Sequence, residues 1–364
     1  MTTAPPMQEG VPASMQAVLL RGHGGLEQLE FRTDVPVPRP DPGEVLIRVG
    51  AAAINNTDIN TRVGWYSKTV ETATASAIAA SDTRDGGWSG KPFHFPRIQG
   101  IDCCGTIIAV GEGVPATRTG ERVLVDPVLR PRDGSLAEVG YLGAERDGAF
   151  AQYTTVPASN AHRIECGLSD VELATFPCAY GTAENLLSRA DVRGGETVLV
   201  TGASGGVGAA AVQLASLRGA NVVAVSSRSK LREVEQLGAA QVVDREGDLV
   251  AALGRETIDV VIDVVGGTAF AALLDVLKRG GRYAVAGAIA GPIVALDLRT
   301  LYLKDLALYG CTVTEPVVFA RLVDLIQSGA LRPLVRAVYP LAQIAIAQSD
   351  FLGKARTGKI VLVP

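Results

Sequence analysis

The 364-residue chain carries 34 basic against 38 acidic side chains, a net charge of −4, with 47% apolar residues. That balance excludes a disordered chain and leaves no cationic surplus for gripping the phosphates of DNA or RNA. Arg218, Asp259, Asp263 and Lys278 interrupt the richest apolar stretches, and Met1–Ser14 has neither a basic start nor an apolar run, so the expectation is a soluble, cytoplasmic protein without a membrane partner.

At about 150 residues per domain the length fits two or three domains. Met1–Ser14, with its Pro and Thr, reads as a frayed tail. From Met15 to about Ile164, short β-type runs (Ala17–Leu20, Val45–Val49, Thr106–Val110, Arg122–Val125, Phe150–Val156) alternate with Pro/Gly turns such as Pro38–Gly43, the pattern of an antiparallel barrel. From about Thr175 to Thr312 apolar runs alternate with helical stretches. Thr197–Val200, Asn221–Val225, Gln241–Val243, Val260–Val264, Arg282–Ala286 and Leu306–Tyr309 read as six strands of a doubly wound parallel sheet. A helix over Val317–Gln327, a strand near Val335–Val338, a helix from Leu341 and a strand over Lys359–Val363 return to the first style. Ser67–Phe95 and Pro127–Asp147 stand outside this order as long loops, the kind that serve as lids or as solvated decoration. The first carries Trp88, Phe93 and Phe95 and three glycines, Gly86, Gly87 and Gly90, enough to close over a flat substrate or to anchor on the barrel. Five cysteines, two of them the neighbours Cys103 and Cys104, suggest no disulfide framework and read as reduced thiols.

The densest signal is Thr197–Val200 followed by Thr201-Gly202-Ala203-Ser204-Gly205-Gly206-Val207-Gly208 and an alanine-rich helix to about Leu217. A buried strand running into glycines and then a helix brings backbone N–H groups up to a pyrophosphate at the positive helix end. The next strand ends in Ser226, Ser227, Arg228, Ser229 and Lys230 instead of an acidic residue. An acidic side chain there would hold a ribose 2′-hydroxyl, whereas Ser226, Arg228 and Lys230 favour a 2′-phosphate and so NADP(H). The alternative is a solvated helix start with an N-capping serine.

Together with Ala17–Leu19, Gly22–Glu27, Pro42–Val49 and Gly105–Val114, this glycine motif resembles the medium-chain dehydrogenase/reductase superfamily over nearly the whole chain from Met15. The resemblance implies an α/β protein: a Rossmann doubly wound parallel sheet plus a GroES-like antiparallel β-barrel catalytic domain, with the active site in the cleft between them. The expected division is a tail over 1–14, a catalytic domain over 15–179, a dinucleotide-binding domain over 180–312 and a return to the catalytic domain over 313–364. Where zinc members carry ligands, this chain has Asn55, Ile101 and Cys178, and no four-cysteine cluster occurs in Pro127–Asp147. Isoleucine has no lone pair, so no zinc is expected. The motif Asn55-x-x-Asp58 followed by Arg62-x-Gly64-x-Tyr66 resembles the zinc-independent quinone oxidoreductase branch. Without a metal, hydride transfer relies on positioning and on donors aimed at the developing oxyanion. Tyr66 and Asn55 are the expected donors, and Asp58 is expected to fix the loop or a neighbouring donor rather than act as a base. His23, His94 and His162 match no catalytic position and read as solvated turn residues.

The resemblance further implies that Thr182 packs against the nicotinamide, that Gly202, Gly205, Gly206, Val207 and Gly208 hold the pyrophosphate, and that Val265 and Ala288 close the pocket on the cofactor. It also implies a homodimer through the last sheet strand. The function expected is NADPH-dependent hydride transfer to a quinone, an enone or a related activated carbonyl. A reductase or dehydrogenase for one ketone or secondary alcohol, and an NADPH-binding sensor or structural protein without turnover, are the alternatives.

Overall fold

The computed structural model describes residues 10–76, 86–88, 92–131, 133–353 and 357–364. Residues 1–9 of the expected tail lie outside that range, and the tail ends early because β1 begins at Ser14. The first lobe is built from β1 (Ser14–Leu20), β2 (Leu29–Pro36), β3 (Glu44–Ala53), α1 (Asn56–Arg62), β4 (Arg97–Ile98), β5 (Cys104–Val110), β6 (Arg122–Val125), β7 (Val128–Leu129), β8 (Gly140–Tyr141), β9 (Tyr153–Pro157), β10 (Ala161–Arg163) and α2 (Asp170–Leu173). Helix α3 (Pro177–Arg189) leads into the second lobe: β11 (Thr197–Val200), α4 (Gly206–Leu217), β12 (Asn221–Ser226), α5 (Leu231–Glu235), β13 (Gln241–Asp244), α6 (Leu249–Leu253), β14 (Ile258–Asp263), α7 (Phe270–Val276), β15 (Leu277–Val285), α8 (Leu298–Leu303) and β16 (Ala307–Gly310). Then α9 (Pro316–Gln327), β17 (Val335–Pro340), α10 (Ile344–Gly353) and β18 (Lys359–Val363) return the chain to the first lobe.

Strand β3 is central to the first lobe: β5 and β9 pair with it antiparallel and β18 joins it at Ala52 and Ala53, so the carboxyl-terminal strand completes a sheet begun about 300 residues earlier. Its Val45, Ile47, Val49, Ala51 and Ala53 are buried on one face, while on the other Leu46 and Ala52 are buried and Arg48 between them is exposed. In the second lobe the order β13-β12-β11-β14-β15-β16 is all parallel, the doubly wound arrangement whose strand order reverses between β11 and β14 and opens a crevice at their carboxyl ends. Among the described residues no helix is long and apolar enough to cross a membrane.

A buried acid closes that crevice from beneath. Asp263, with no exposed surface at the end of β14, accepts hydrogen bonds from Thr201 Oγ1 (2.6 Å) beyond β11, from the Tyr283 hydroxyl (2.5 Å) on β15, and from the N–H groups of Val265 (2.8 Å) and Gly266 (3.2 Å). Asp263→Ala leaves these four donors, most of them buried, without this acceptor. The expected cost is about 3 kcal/mol or more, read as a lower denaturant midpoint; a midpoint equal to that of the unchanged protein contradicts this role.

Candidate active site

Asn55 caps helix α1: its backbone N–H is taken by Asp58 Oδ2 (2.8 Å), an acceptor that the sequence places three residues ahead. The far end is pinned by Arg62, whose Nε bonds Gln348 Oε1 on α10 (2.9 Å) and whose Nη1 bonds the Gly24 carbonyl (2.7 Å). Asp58 thus fixes the turn, and burial pushes its carboxyl up to about 7. Asn55 faces inward with its amide engaged: Nδ2 donates to Asp102 Oδ2 (2.8 Å) and the Ala53 carbonyl (3.2 Å), and Oδ1 accepts from Lys359 Nζ. Its expected part as an oxyanion donor therefore has no free amide hydrogen in this arrangement. Tyr66 donates its phenol to Thr57 Oγ1 (2.9 Å), and burial pushes that phenol up to about 12, so it is protonated across the neutral range.

Three residues that sequence reasoning passed over complete the site. Asp102, fully buried, takes the Lys359 ammonium on Oδ2 (2.5 Å) and the Cys178 N–H on Oδ1 (2.7 Å), while Lys359 itself is 4% exposed. Tyr141, from the 127–147 loop, donates its hydroxyl to the Thr312 carbonyl (2.6 Å) and meets the Trp88 ring edge-on at 4.2 Å. A small cavity lies between the lobes here, lined by Ile101, Asp126, Tyr141, Cys178, Thr182 and Thr314. The signals were present as charges at the edges of apolar runs: Asp102 before Cys103-Cys104, and Lys359 ahead of Ile-Val-Leu-Val.

As a ligand set for zinc these residues do not fit. Ile101 offers no donor atom, the Cys178 thiol is pushed up to about 12 by burial and by Asp102, and an ammonium already lies on Asn55 Oδ1. Among the described residues no cluster of three or more His, Cys, Asp or Glu could hold a metal ion.

The glycine-rich loop makes a cradle between β11 and α4. Gly202 has φ +57°, and a Cβ at Gly208 would stand 2.3 Å from the Gly202 carbonyl oxygen, so the loop packs on the first turn of α4 only with glycine there. Gly205 N–H closes the turn on Gly202 O (2.8 Å), leaving Gly206 and Val207 at the helix start. The loops after β14 and β15 meet beside it: Ala290 N–H bonds the Val265 carbonyl (2.9 Å), and Gly291 N–H bonds the Ala288 carbonyl (3.0 Å). Thr182 sits one turn along α3 from Cys178, in reach of its thiol. This glycine-rich turn at the start of α4 fits a dinucleotide pyrophosphate. At the end of β12, Ser226 is buried with its Oγ unpartnered, Arg228 extends into solvent with a 3.1 Å contact to Asp244, and Lys230 is buried rather than open to solvent.

Of the long loops, residues 77–85, 89–91 and 132 lie outside the described range, Gly90 among them. The described remainder touches both lobes: Thr74 N–H bonds the Ile289 carbonyl (3.2 Å), and the His23 ring is met by Phe93 at a tilt (5.7 Å) and by Phe95 edge-on (4.9 Å). The reading of the histidines as solvated turn residues is corrected for two of them. His23 is engaged with those rings and with the Thr61 carbonyl, and His162 lies on β10 against Phe319 at 5.0 Å; only His94 is exposed. Cys103 and Cys104 are fully buried core residues at the start of β5.

Known proteins share this architecture. The alcohol dehydrogenase GroES-like domain family matches residues 41–166, and the zinc-binding dehydrogenase family matches residues 206–328. Among curated proteins the chain is 31% identical to acryloyl-coenzyme A reductase of Metallosphaera sedula, covering 96% of this chain and 99% of that one, and 30% identical to quinone oxidoreductase of Lama guanicoe, covering 96% and 97%. Among solved structures, a candidate alcohol dehydrogenase from Sinorhizobium meliloti superposes with a TM-score of 0.90 at 50% identity over 98% of this chain and 99% of that one. A 2-octenoyl-CoA carboxylase reductase in complex with NADP and 2-octenoyl-CoA superposes at 0.82 with 27% identity, over 97% and 88%. With both lobes, the crevice and the glycine cradle matched along nearly its full length, this chain belongs to the medium-chain dehydrogenase/reductase superfamily and is an oxidoreductase that uses a nicotinamide cofactor.

Proposed function

We propose that this protein is a zinc-independent, NADPH-dependent reductase acting on a conjugated acceptor: an enone, an enoyl thioester or a quinone. The observation that carries this reading is the donor chemistry beside the cradle, where Asn55, Ile101 and a protonated Cys178 stand with the Asp102–Lys359 pair in place of a metal-binding set. Without a Lewis acid, an acceptor that spreads incoming charge over several atoms is reduced more readily than an isolated ketone. When bound, the nicotinamide supplies the hydride. For an enone the hydride bonds to the β-carbon, the electron pair of the double bond moves to the oxygen as an enolate, and water returns a proton to the α-carbon. Tyr66, protonated at neutral pH, is the side-chain donor for the enolate oxygen, turning from Thr57; Thr182 and Cys178 wall the cavity, and Trp88 with Tyr141 gives a flat acceptor an apolar surface. The relatives named for acryloyl-CoA, octenoyl-CoA and quinone reduction support this class.

Loss of NADPH absorbance with a panel of enones, 2-enoyl-CoA esters and quinones, set against saturated ketones and secondary alcohols with NADP+, tests the proposal. Conjugated acceptors are expected to exceed saturated ones by about 100-fold or more in kcat/KM. A preference for a saturated ketone or alcohol, or binding without turnover across the panel, overturns it.

Preference for NADPH rests on Ser226, with its buried and unpartnered hydroxyl, and on Arg228, whose guanidinium reaches into solvent at the strand end, with Lys230 behind them. In cofactor titrations, Arg228→Ala is expected to weaken NADPH about tenfold or more while leaving NADH unchanged, the loss of one charge-assisted contact. Equal losses for both cofactors, or tighter NADH binding by the unchanged protein, go against the preference.

We further propose a homodimer through the open edge of β16. Ile293, Leu298, Tyr302, Leu303 and Leu308 are exposed along or beside that edge, and an uncovered strand flanked by apolar side chains invites pairing. Sedimentation at micromolar concentration is expected to give a dimer that Leu298→Glu/Tyr302→Glu dissociates without loss of helical circular dichroism. A monomer in the unchanged protein refutes the assembly.

A further inference from the structure

We infer that the Thr74 hydroxyl is a cofactor-binding group: it hydrogen-bonds the nicotinamide half of the dinucleotide, so that the segment carrying Tyr66 also grips the hydride donor. The inference rests on the NADPH reading above and adds a contact to it from the barrel lobe.

Position is the first support. A run of contacts leads from the glycine cradle to Thr74. A Cβ on Gly202 would meet Val265 Cγ2 at 3.0 Å, the Val265 carbonyl takes the Ala290 N–H (2.9 Å), and one residue back the Ile289 carbonyl takes the Thr74 N–H (3.2 Å). The loops after β14 and β15 pack on each other, since a Cβ on Gly266 would stand 3.1 Å from Ala288 Cβ. They wall the crevice at the carboxyl ends of the parallel strands, where a dinucleotide lies in this architecture. With the pyrophosphate on the cradle, the nicotinamide has to extend toward the cavity between the lobes to deliver its hydride. Thr74 is a residue of the barrel lobe that touches the wall on that side.

Unspent hydrogen-bonding capacity is the second. Thr74 is 6% exposed, and its buried Oγ1 has no partner among the described residues. A threonine at a turn commonly bonds its hydroxyl to a nearby backbone group. In the turn Thr74–Ser76 the Ser76 N–H goes instead to the Ala73 carbonyl (2.9 Å). A hydroxyl buried unpaired costs stability that a valine of similar shape does not, so packing alone does not account for a threonine here. As donor and acceptor at once it suits the carboxamide and ribose hydroxyls of a nicotinamide nucleoside. The segment that presents it is braced from within: Trp65 Nε1 bonds the Thr72 carbonyl (2.9 Å), Val70 N–H bonds the Ser67 carbonyl (3.0 Å), and the Trp65 ring meets the Tyr66 ring edge-on at 5.7 Å. Tyr66 and Thr74 therefore belong to one internally bonded stretch, which holds the acceptor-side donor and the cofactor-side hydroxyl in a set relation.

Two variants separate a contact with the cofactor from a merely structural role: Thr74→Val, which removes the hydroxyl and keeps the shape and the backbone N–H, and Thr74→Ser, which keeps the hydroxyl. Each is titrated with NADPH and with adenosine 2′,5′-bisphosphate, a fragment of the cofactor without its nicotinamide half, and its thermal midpoint is read with and without NADPH. Thr74→Val is expected to weaken NADPH about 3- to 10-fold, the loss of one neutral hydrogen bond, and to leave the fragment's affinity unchanged. Its ligand-free midpoint is expected to hold or rise, because an unpaired buried hydroxyl is gone, while the increase on adding NADPH shrinks. Thr74→Ser is expected to bind NADPH as the unchanged protein does. Full NADPH affinity in Thr74→Val overturns the inference, as do equal losses for NADPH and the fragment, a lowered ligand-free midpoint in Thr74→Val, or a loss in Thr74→Ser as large as in Thr74→Val. Failure of the cofactor reading looks different: an unchanged protein that does not bind NADPH refutes that reading, whereas one that binds it regardless of the residue at position 74 refutes only the role of the threonine.

Discussion

A carboxylate with no exposed surface has to be answered by donors and by positive charge, and Asp102 is answered by one ammonium, one amide and one backbone N–H. The three come from parts of the chain near positions 55, 178 and 359, so meeting that single requirement brings the barrel, the helix that leads to the second lobe and the terminal strand together. The cleft exists where it does because this anion is compensated there. The crevice of the parallel sheet has a matching arrangement in Asp263, again a buried acid with its donors drawn from neighbouring strand ends. Two buried acids therefore order the two walls, one for each lobe.

The parallel sheet was largely legible from sequence. Thr197–Val200 is identical to the strand observed, and Asn221–Val225 and Gln241–Val243 fall one residue short of β12 and β13, since strands covered on both faces are continuous apolar runs with glycine-marked ends. Arg122–Val125 and Lys359–Val363 likewise coincide with β6 and β18. The barrel was harder. Strand β2, Leu29–Pro36, escaped notice because Glu30, Arg32 and Asp34 alternate with Leu29, Phe31 and Val35 on a largely open strand, and charge density hid the period. The short α1, seven residues, carries too few apolar side chains to show a helical repeat, and its cap is the only local mark.

The site divides along the same line. The glycine loop was legible because its chemistry is local: one strand, one turn and one helix in a single unbroken stretch from Thr197 to Leu217. Asp102 and Lys359 were not, because a buried ion pair between residues 257 positions apart leaves no mark at either end except a charge in apolar company. Asn55 shows the opposite difficulty. Its position was legible, but its two amide hydrogens are engaged by neighbours that sequence does not place.

The loops that cross the cleft are fastened to backbone. Tyr141 donates to the Thr312 carbonyl, Arg130 Nε to the Thr314 carbonyl (3.0 Å), and the Thr74 N–H to the Ile289 carbonyl. On the nucleotide-binding side every acceptor is therefore a main-chain oxygen, which no ordinary substitution removes. The side chains at 289 and 312 take no part in these three contacts, which on the loop side draw on the Tyr141 hydroxyl and the Arg130 guanidinium, while the Thr74 contact is made by backbone on both sides. Such one-sided fastening lets a substrate-facing loop and a cofactor-facing lobe change independently of each other without losing their alignment.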